Sequence, residues 1–216
     1  MNERVLHALP EALEGFDKIV RYWDVKHNVY AAKIIQGDYY VTTRGEMIST
    51  VLGSCVTACI RDTRLGIGGM NHFMLPESRE KSDEWKNSPV NIAARYGNVA
   101  MERLINTIMS AGGNKNYLEA KIFGGSNLLD ITTDIGQMNI DFVRDYLDKE
   151  KIKTVAEDVG GIFPRKLMYF PADGSARVKK LRNLHNDTLQ KREFSYIDRL
   201  QQDKVDSEIE LFTNKF

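Results

Sequence analysis

The sequence predicts an α/β protein, a single-domain layered sandwich in which a mainly antiparallel or mixed sheet is packed by helices. Three observations lead there. Short β-favouring runs recur between Tyr39 and Leu181, separated by turns rich in glycine and aspartate. Two longer segments carry apolar residues at helical spacing. The chain has 216 residues, 42% of them hydrophobic, which is enough for one substantial core.

Residues 1–38 read as an N-terminal arm, with Pro10 near a short helical turn that Gly15 ends, then the segments RYWD (Arg21–Asp24) and AAKII (Ala31–Ile35). Such an arm lies over the domain or docks a partner. Residues 39–182 form the main domain. Its first strand starts at Tyr39, with Gly45 as a turn or bulge, and Leu52-Gly53-Ser54 leads into CVTACI, Cys55–Ile60. In that strand Val56, Ala58 and Ile60 share one face and Cys55, Thr57 and Cys59 the other. A turn over Asp62–Gly66 precedes IGGMNHFML, Ile67–Leu75, a dense apolar run that reads as a fully buried strand.

Pro76–Lys86 is polar and loop-like. Ser88-Pro89 then opens a helix, serine at the cap and proline in the first turn. Ala93, Ala100, Met101, Leu104, Ile105 and Ile108 make its inward stripe until Gly112-Gly113. Leu118–Phe123 is a strand running into Gly124-Gly125-Ser126. A second helix covers Gly136–Glu150, with Ile140, Val143 and Leu147 inward. Strands follow at Thr154–Glu157, Lys166–Phe170 and Arg177–Leu181. Residues 183–216 form a C-terminal helical or flexible extension, in which Leu184, Leu189, Ile197 and Leu200 suit an amphipathic helix.

Composition excludes several classes. Thirty Lys and Arg balance thirty Asp and Glu, so nothing favours a nucleic acid held by its phosphates. Two cysteines make no disulfide scaffold. No run approaches the roughly 20 apolar residues of a membrane span, and acidic residues interrupt the first thirty, so membrane insertion and a signal peptide are not expected. The expected location is cytoplasmic. His7, His27, His72 and His185 are scattered, and Cys55 with Cys59 is no recognised ligand pair, so neither a metal nor a cofactor is expected. Gly68-Gly69 and Gly124-Gly125 are not phosphate-binding fingerprints.

The chemistry points to Cys55. It stands where a glycine-containing turn meets a strand, so nearby backbone N–H groups can face a developing oxyanion. The competing reading is a buried thiol packed as a small hydrophobe, and Cys59, mid-strand, keeps that reading. His72 follows Cys55 by seventeen positions. A hairpin turn centred between residues 63 and 64 places the two directly opposite, with Cβ atoms about 4.5–5.5 Å apart, close enough for a thiol–imidazole pair. The bland alternative for His72 is a packed histidine bonded to a carbonyl. The imidazole needs an orienting partner, and Ser49, Thr50 and Asn71 are the nearby polar groups. In a regular strand Asn71 falls on the opposite face from His72.

The stretch LGSCVTACIRDTRLGIGGMNHFMLP, Leu52–Pro76, resembles the signature of the CheD family, the chemoreceptor glutamine deamidases of bacterial chemotaxis. RYWD, AAKI and GDYYVTTRGE upstream are similar to the leader of longer members. KIFGGSNLL (Lys121–Leu129), IGQMN (Ile135–Asn139) and AEDVGGIFPRKLMYFPADG (Ala156–Gly174) are similar to later blocks, so the resemblance covers roughly residues 10 to 182. It implies a Cys–His–Thr hydrolase with Cys55 and His72, and a threonine matched by Thr50, or by Ser49 as the alternative alignment. It implies cofactor-free hydrolysis of a receptor glutamine through a thioester. Gly53 and Ser54, with the Cys55 backbone, become candidate oxyanion donors, and Asn71, Gly124, Gly125 and Ser126 candidate cleft residues. The implied partners are methyl-accepting chemotaxis receptors and a chemotaxis phosphatase or other signalling protein. Two other readings stand beside it: a non-catalytic chemotaxis adaptor, and a thiol amidohydrolase with another substrate.

Overall fold

The computed structural model describes residues 8–75, 89–128, 134–182, 191–196 and 198. The expected loop Pro76–Lys86, the cap Ser88 and the apolar tail positions Leu184, Leu189, Ile197 and Leu200 lie outside the described residues.

Among the described residues, ten strands and two long helices are arranged in three layers. The first sheet contains β1 (Val20–Asp24), β2 (Val29–Lys33), β4 (Met47–Leu52), β9 (Arg165–Phe170) and β10 (Ser175–Lys180), in the order β1-β2-β4-β9-β10. The second contains β3 (Tyr39–Thr42), β5 (Val56–Asp62), β6 (Gly68–Asn71), β7 (Leu118–Gly124) and β8 (Lys153–Val159), in the order β3-β6-β5-β7-β8. Ladders are antiparallel except β2–β4 and β7–β8, so the expected mixed, mainly antiparallel pairing holds, divided between two sheets.

Helix α1 (Pro89–Ser110) lies on β3, β6 and β5, and α2 (Ile135–Lys149) on β5, β7 and β8. On α1, Met101, Leu104, Ile105 and Ile108 are buried, one face of a 3.6-residue repeat. Strand β5 is covered on both faces, which is why its residues on both sides of the pleat are apolar or small. Val56, Ala58 and Ile60 are fully buried, and Thr57 and Cys59 equally so. The same core takes in Ile48, Leu167 and Tyr169 from the first sheet.

The structure corrects two expectations. Residues 20–33 are not an arm laid over the domain. They form an antiparallel hairpin whose Ala31 and Ala32 pair in parallel with Met47 and Ile48 of β4. The buried Glu46 carboxylate ties this hairpin to the second sheet, accepting hydrogen bonds from Arg21 Nε (2.8 Å), Tyr40 Oη (2.7 Å) and Thr42 Oγ1 (2.8 Å). The β5–β6 register also differs from the expected one. The turn holds residues 63–66, closed by the Asp62 N–H on the Ile67 carbonyl at 2.8 Å, and the Asp62 carboxylate takes the Arg64 and Leu65 N–H groups. That centres the turn one residue later and moves every cross-strand partner by two.

Candidate active site

The link between β4 and β5 is Gly53-Ser54-Cys55, and it carries the chain from the first sheet to the second. Each of its carbonyls is anchored. Gly53 O accepts from Ser126 N at 2.7 Å, Ser54 O from Asn139 Nδ2 at 2.9 Å, and Cys55 O from Gly125 N at 2.7 Å. A trans peptide points its N–H opposite its carbonyl. Anchoring the Gly53 and Ser54 carbonyls therefore turns the Ser54 and Cys55 N–H groups together to the other side. There they meet the carboxylate of Glu193, from the helical segment 191–196. Ser54 N lies 2.9 and 3.3 Å from its two oxygens, and the Ser54 hydroxyl donates to it at 2.7 Å.

Two glycines make this close approach possible. A Cβ on Gly53 would stand 2.3 Å from Glu193 Oε1, and one on Gly124 would stand 2.2 Å from the Cys55 carbonyl oxygen. Gly124 also has φ +112°, a backbone conformation that other residues rarely adopt.

Cys55 and His72 lie on either side of one antiparallel bridge, Val56 with Phe73, closed by two 3.0 Å hydrogen bonds. Each precedes its bridge residue by one, so both side chains occupy the opposite face from Val56 and Phe73. They are diagonal neighbours, about 7–8 Å apart by backbone and nearer at Cβ. They are not directly opposite, because of the shifted turn, but they share a face.

His72 is held from the first sheet. Its Nδ1 lies 2.8 Å from Thr50 Oγ1, which also lies 2.9 Å from the Ile34 carbonyl oxygen. The carbonyl only accepts, so it takes the single hydroxyl proton, and His72 Nδ1–H must donate to Thr50. The tautomer is thereby set with Nε2 unprotonated, and Nε2 has no hydrogen-bond partner among the described residues. Of the two hydroxyls, Thr50 reaches the imidazole. Ser49 points to the other face of β4, with its hydroxyl 3.5 Å from the Ala32 carbonyl.

Asn71 Oδ1 accepts from Ala58 N at 2.9 Å and its Nδ2 reaches the Ala100 carbonyl at 3.2 Å, so its side chain braces β5, β6 and α1, and the residue lines a cavity together with His72, Tyr39 and Tyr96. Gly124, Gly125 and Ser126 act from behind the Cys55 link as its anchor. The Ser126 hydroxyl donates to Phe163 O at 2.8 Å and accepts from Arg165 Nη2 at 2.9 Å. The buried Arg165 guanidinium also binds the Gly160 carbonyl and Asp158, tying that anchor to the turn after β8.

Three contributors were missed by sequence reasoning: Asn139, Arg165 and Glu193. Asn139 stood inside a quoted block, IGQMN, without a role. Its Oδ1 accepts the Leu75 N–H at 2.7 Å while its Nδ2 holds Ser54, so one side chain joins the strand ends that carry Cys55 and His72. Among the described residues no three His, Cys, Asp or Glu side chains gather as a metal site.

Electrostatics keep the pair neutral in this state. Burial lowers the His72 pKa to about 3. Burial, and next the charge of Glu193, push the Cys55 thiol well above its ordinary value. A thiol and a neutral imidazole with a free nitrogen on one face of the sheet, with the Ser54 and Cys55 N–H groups turned to one side of the link, are the equipment of a cysteine hydrolase that acts on acyl groups.

Comparison with known proteins agrees. The family described as CheD chemotactic sensory transduction matches residues 74–180. A relative from Halorhodospira halophila is 48% identical over 205 residues, 95% of this chain and 95% of its own length. Another from Methylobacillus flagellatus is 52% identical over 193 residues, 88% of this chain and 94% of its own, and one from Hahella chejuensis is 46% identical over 203, covering 94% and 95%. All three bear the name "Probable chemoreceptor glutamine deamidase CheD". The chain belongs to the CheD family.

Proposed function

We propose that this protein hydrolyses glutamine side chains of methyl-accepting chemotaxis receptors to glutamate, with Cys55 as nucleophile and His72 as base. The observation that carries the reading is the Thr50–His72 hydrogen bond, which leaves Nε2 free on the face that Cys55 shares. His72 Nε2 takes the thiol proton as Cys55 Sγ attacks the carboxamide carbon. The new oxyanion lies against the Ser54 and Cys55 N–H groups. As the C–N bond breaks, the imidazolium proton passes to the leaving nitrogen and ammonia departs from a thioester. Water then attacks the thioester carbon, giving a proton to His72. The C–S bond breaks, glutamate leaves, and the thiolate recovers its proton. The net change is glutamine plus water to glutamate plus ammonia.

A cytoplasmic location and a chemotaxis phosphatase partner belong to the same proposal. Among the described residues no helix is long and apolar enough to cross a membrane.

The test is incubation with receptor signalling helices, read by peptide mass spectrometry. Each converted glutamine gains about 1 Da and releases one ammonia, as amide hydrolysis requires. No mass gain on any receptor glutamine would sink the assignment, and faster turnover of free glutamine would replace the substrate. Within this mechanism Thr50→Ala is expected to slow single-turnover hydrolysis roughly 5- to 150-fold. It removes the acceptor of a buried N–H, a loss of about 1–3 kcal/mol. Ser49→Ala, remote from the imidazole, leaves the rate within about twofold. The reverse order would show that another group orients His72.

A further inference from the structure

The occupant of the N–H cradle is part of the chain itself. In the helical segment 191–196 only Glu193 and Tyr196 are buried, while Lys191, Arg192, Phe194 and Ser195 are exposed. The two buried residues are three apart and so share one helical face. Tyr196 Oη lies 2.8 Å from Tyr96 Oη, and its ring packs over Gly37, where a Cβ would be 3.2 Å from that oxygen. Glu193 is fully buried and, among the described residues, pairs with no cation. Among the described residues its carboxylate is met by the Ser54 N–H and hydroxyl and by the Cys55 N–H and thiol. A buried carboxylate without a cation is a poor structural device. As a ligand it is apt, because its γ-carboxylate is the group a glutamine side chain becomes on hydrolysis.

We propose that residues 191–196 are a tethered product analogue, with the Glu193 carboxylate filling the site that receives a substrate carboxamide and closing it until a receptor helix displaces the segment. This rests on the deamidase reading and adds its regulation. It also defines how the site is entered: by a side chain of glutamine length on a helical turn, with the residue three positions on resting against Gly37 and Tyr96. The electrostatics point the same way. A carboxylate against the thiol opposes the thiolate, so the occupied state is the inactive one.

Two measurements on the full chain decide it. The first is Glu193→Gln. The carboxamide then sits in the cradle of an active enzyme. Cys55 Sγ bonds to its carbon, ammonia leaves with a proton from His72, and water hydrolyses the thioester and restores the thiol. Residue 193 is expected to return to glutamate, a gain of about 1 Da in its peptide. The same change in a Cys55→Ala background should show none.

The second is alkylation of Cys55 by iodoacetamide, which needs no turnover. Glu193→Ala and, separately, Tyr196→Ala should speed it at least about tenfold, an occlusion of about 1.4 kcal/mol. Cys59, buried mid-strand, is the internal reference. Unchanged alkylation in both variants overturns the proposal. So does a Glu193→Gln protein that converts receptor glutamines while its own residue 193 keeps the carboxamide. If receptor glutamines are never converted, the deamidase reading falls, and the alkylation rates still decide whether Glu193 closes the site.

Discussion

Replacement of Cys55 by alanine is expected to lower receptor glutamine hydrolysis at least about 10⁴-fold, equivalent to some 5.4 kcal/mol of barrier. The size follows from the role. In the proposed mechanism the sulfur forms the covalent bond that divides amide hydrolysis into two easier steps, and the other cysteine, Cys59, is not placed to replace it. Cys59 lies four residues on, in the middle of β5, with its sulfur 3.9 Å from Met70 Sδ and burial raising its pKa. The fold should survive, since losing one buried sulfur costs on the order of 1 kcal/mol. Cys59→Ala should keep most of the activity. His72→Gln should fall between them, down about 10²–10⁴-fold, the usual contribution of a positioned base. The measurement is single-turnover ammonia release, with circular dichroism to confirm folding. A Cys55→Ala protein working at more than about a hundredth of the normal rate would remove the thiol from the mechanism.

Asn139→Ala is expected to be the most damaging change outside the proposed catalytic pair. The side chain satisfies two backbone groups at once, the Ser54 carbonyl at 2.9 Å and the Leu75 N–H at 2.7 Å, and it is fully buried. Alanine leaves both unpaired away from water, at about 1–3 kcal/mol each. The sum, about 2–6 kcal/mol, is a large part of the roughly 5–15 kcal/mol that holds a domain together. For a chain of this size it lowers Tm by roughly 5–20 °C. Activity should fall as well, because the Ser54 carbonyl no longer keeps the Cys55 N–H turned toward the substrate. Asn139→Asp separates the two effects. It still accepts from Leu75 but faces the Ser54 carbonyl with an acceptor, so it should not restore the site. A thermal melt of Asn139→Ala within about 2 °C of the unmodified protein would show that the two bonds are replaced by others.

The helices and most strands were legible in the sequence because their causes are local. The stripe from Met101 to Ile108 and the turn glycines act over three or four residues. Cys55 and the glycines around residues 53 and 124 stand at junctions of such elements, whereas His72 was singled out through its pairing across the hairpin. The hairpin register was off by two, since the Asp62 side chain draws residues 63–66 into the turn through bonds that composition does not display.

Strands 20–24 and 29–33 looked like an arm because the hairpin they form joins the sheet only through β2, whose partner β4 lies fourteen or more residues further on and parallel to it.

By itself, then, the sequence determined the layered α/β class, and it singled out Cys55, His72 and a hydroxyl at position 49 or 50 as the candidates on which the proposed mechanism rests. The family resemblance favoured Thr50 by residue type alone, and only the tertiary structure gives the physical reason it reaches His72, which is the face of β4 turned toward the second sheet. The tertiary structure alone brought in Asn139 and Glu193, which meet Ser54 from 85 and 139 residues away. A contact of that range has no period or spacing in the chain. It exists only once two sheets and a helical segment have packed, and the peptide groups of a three-residue link have been turned to face it.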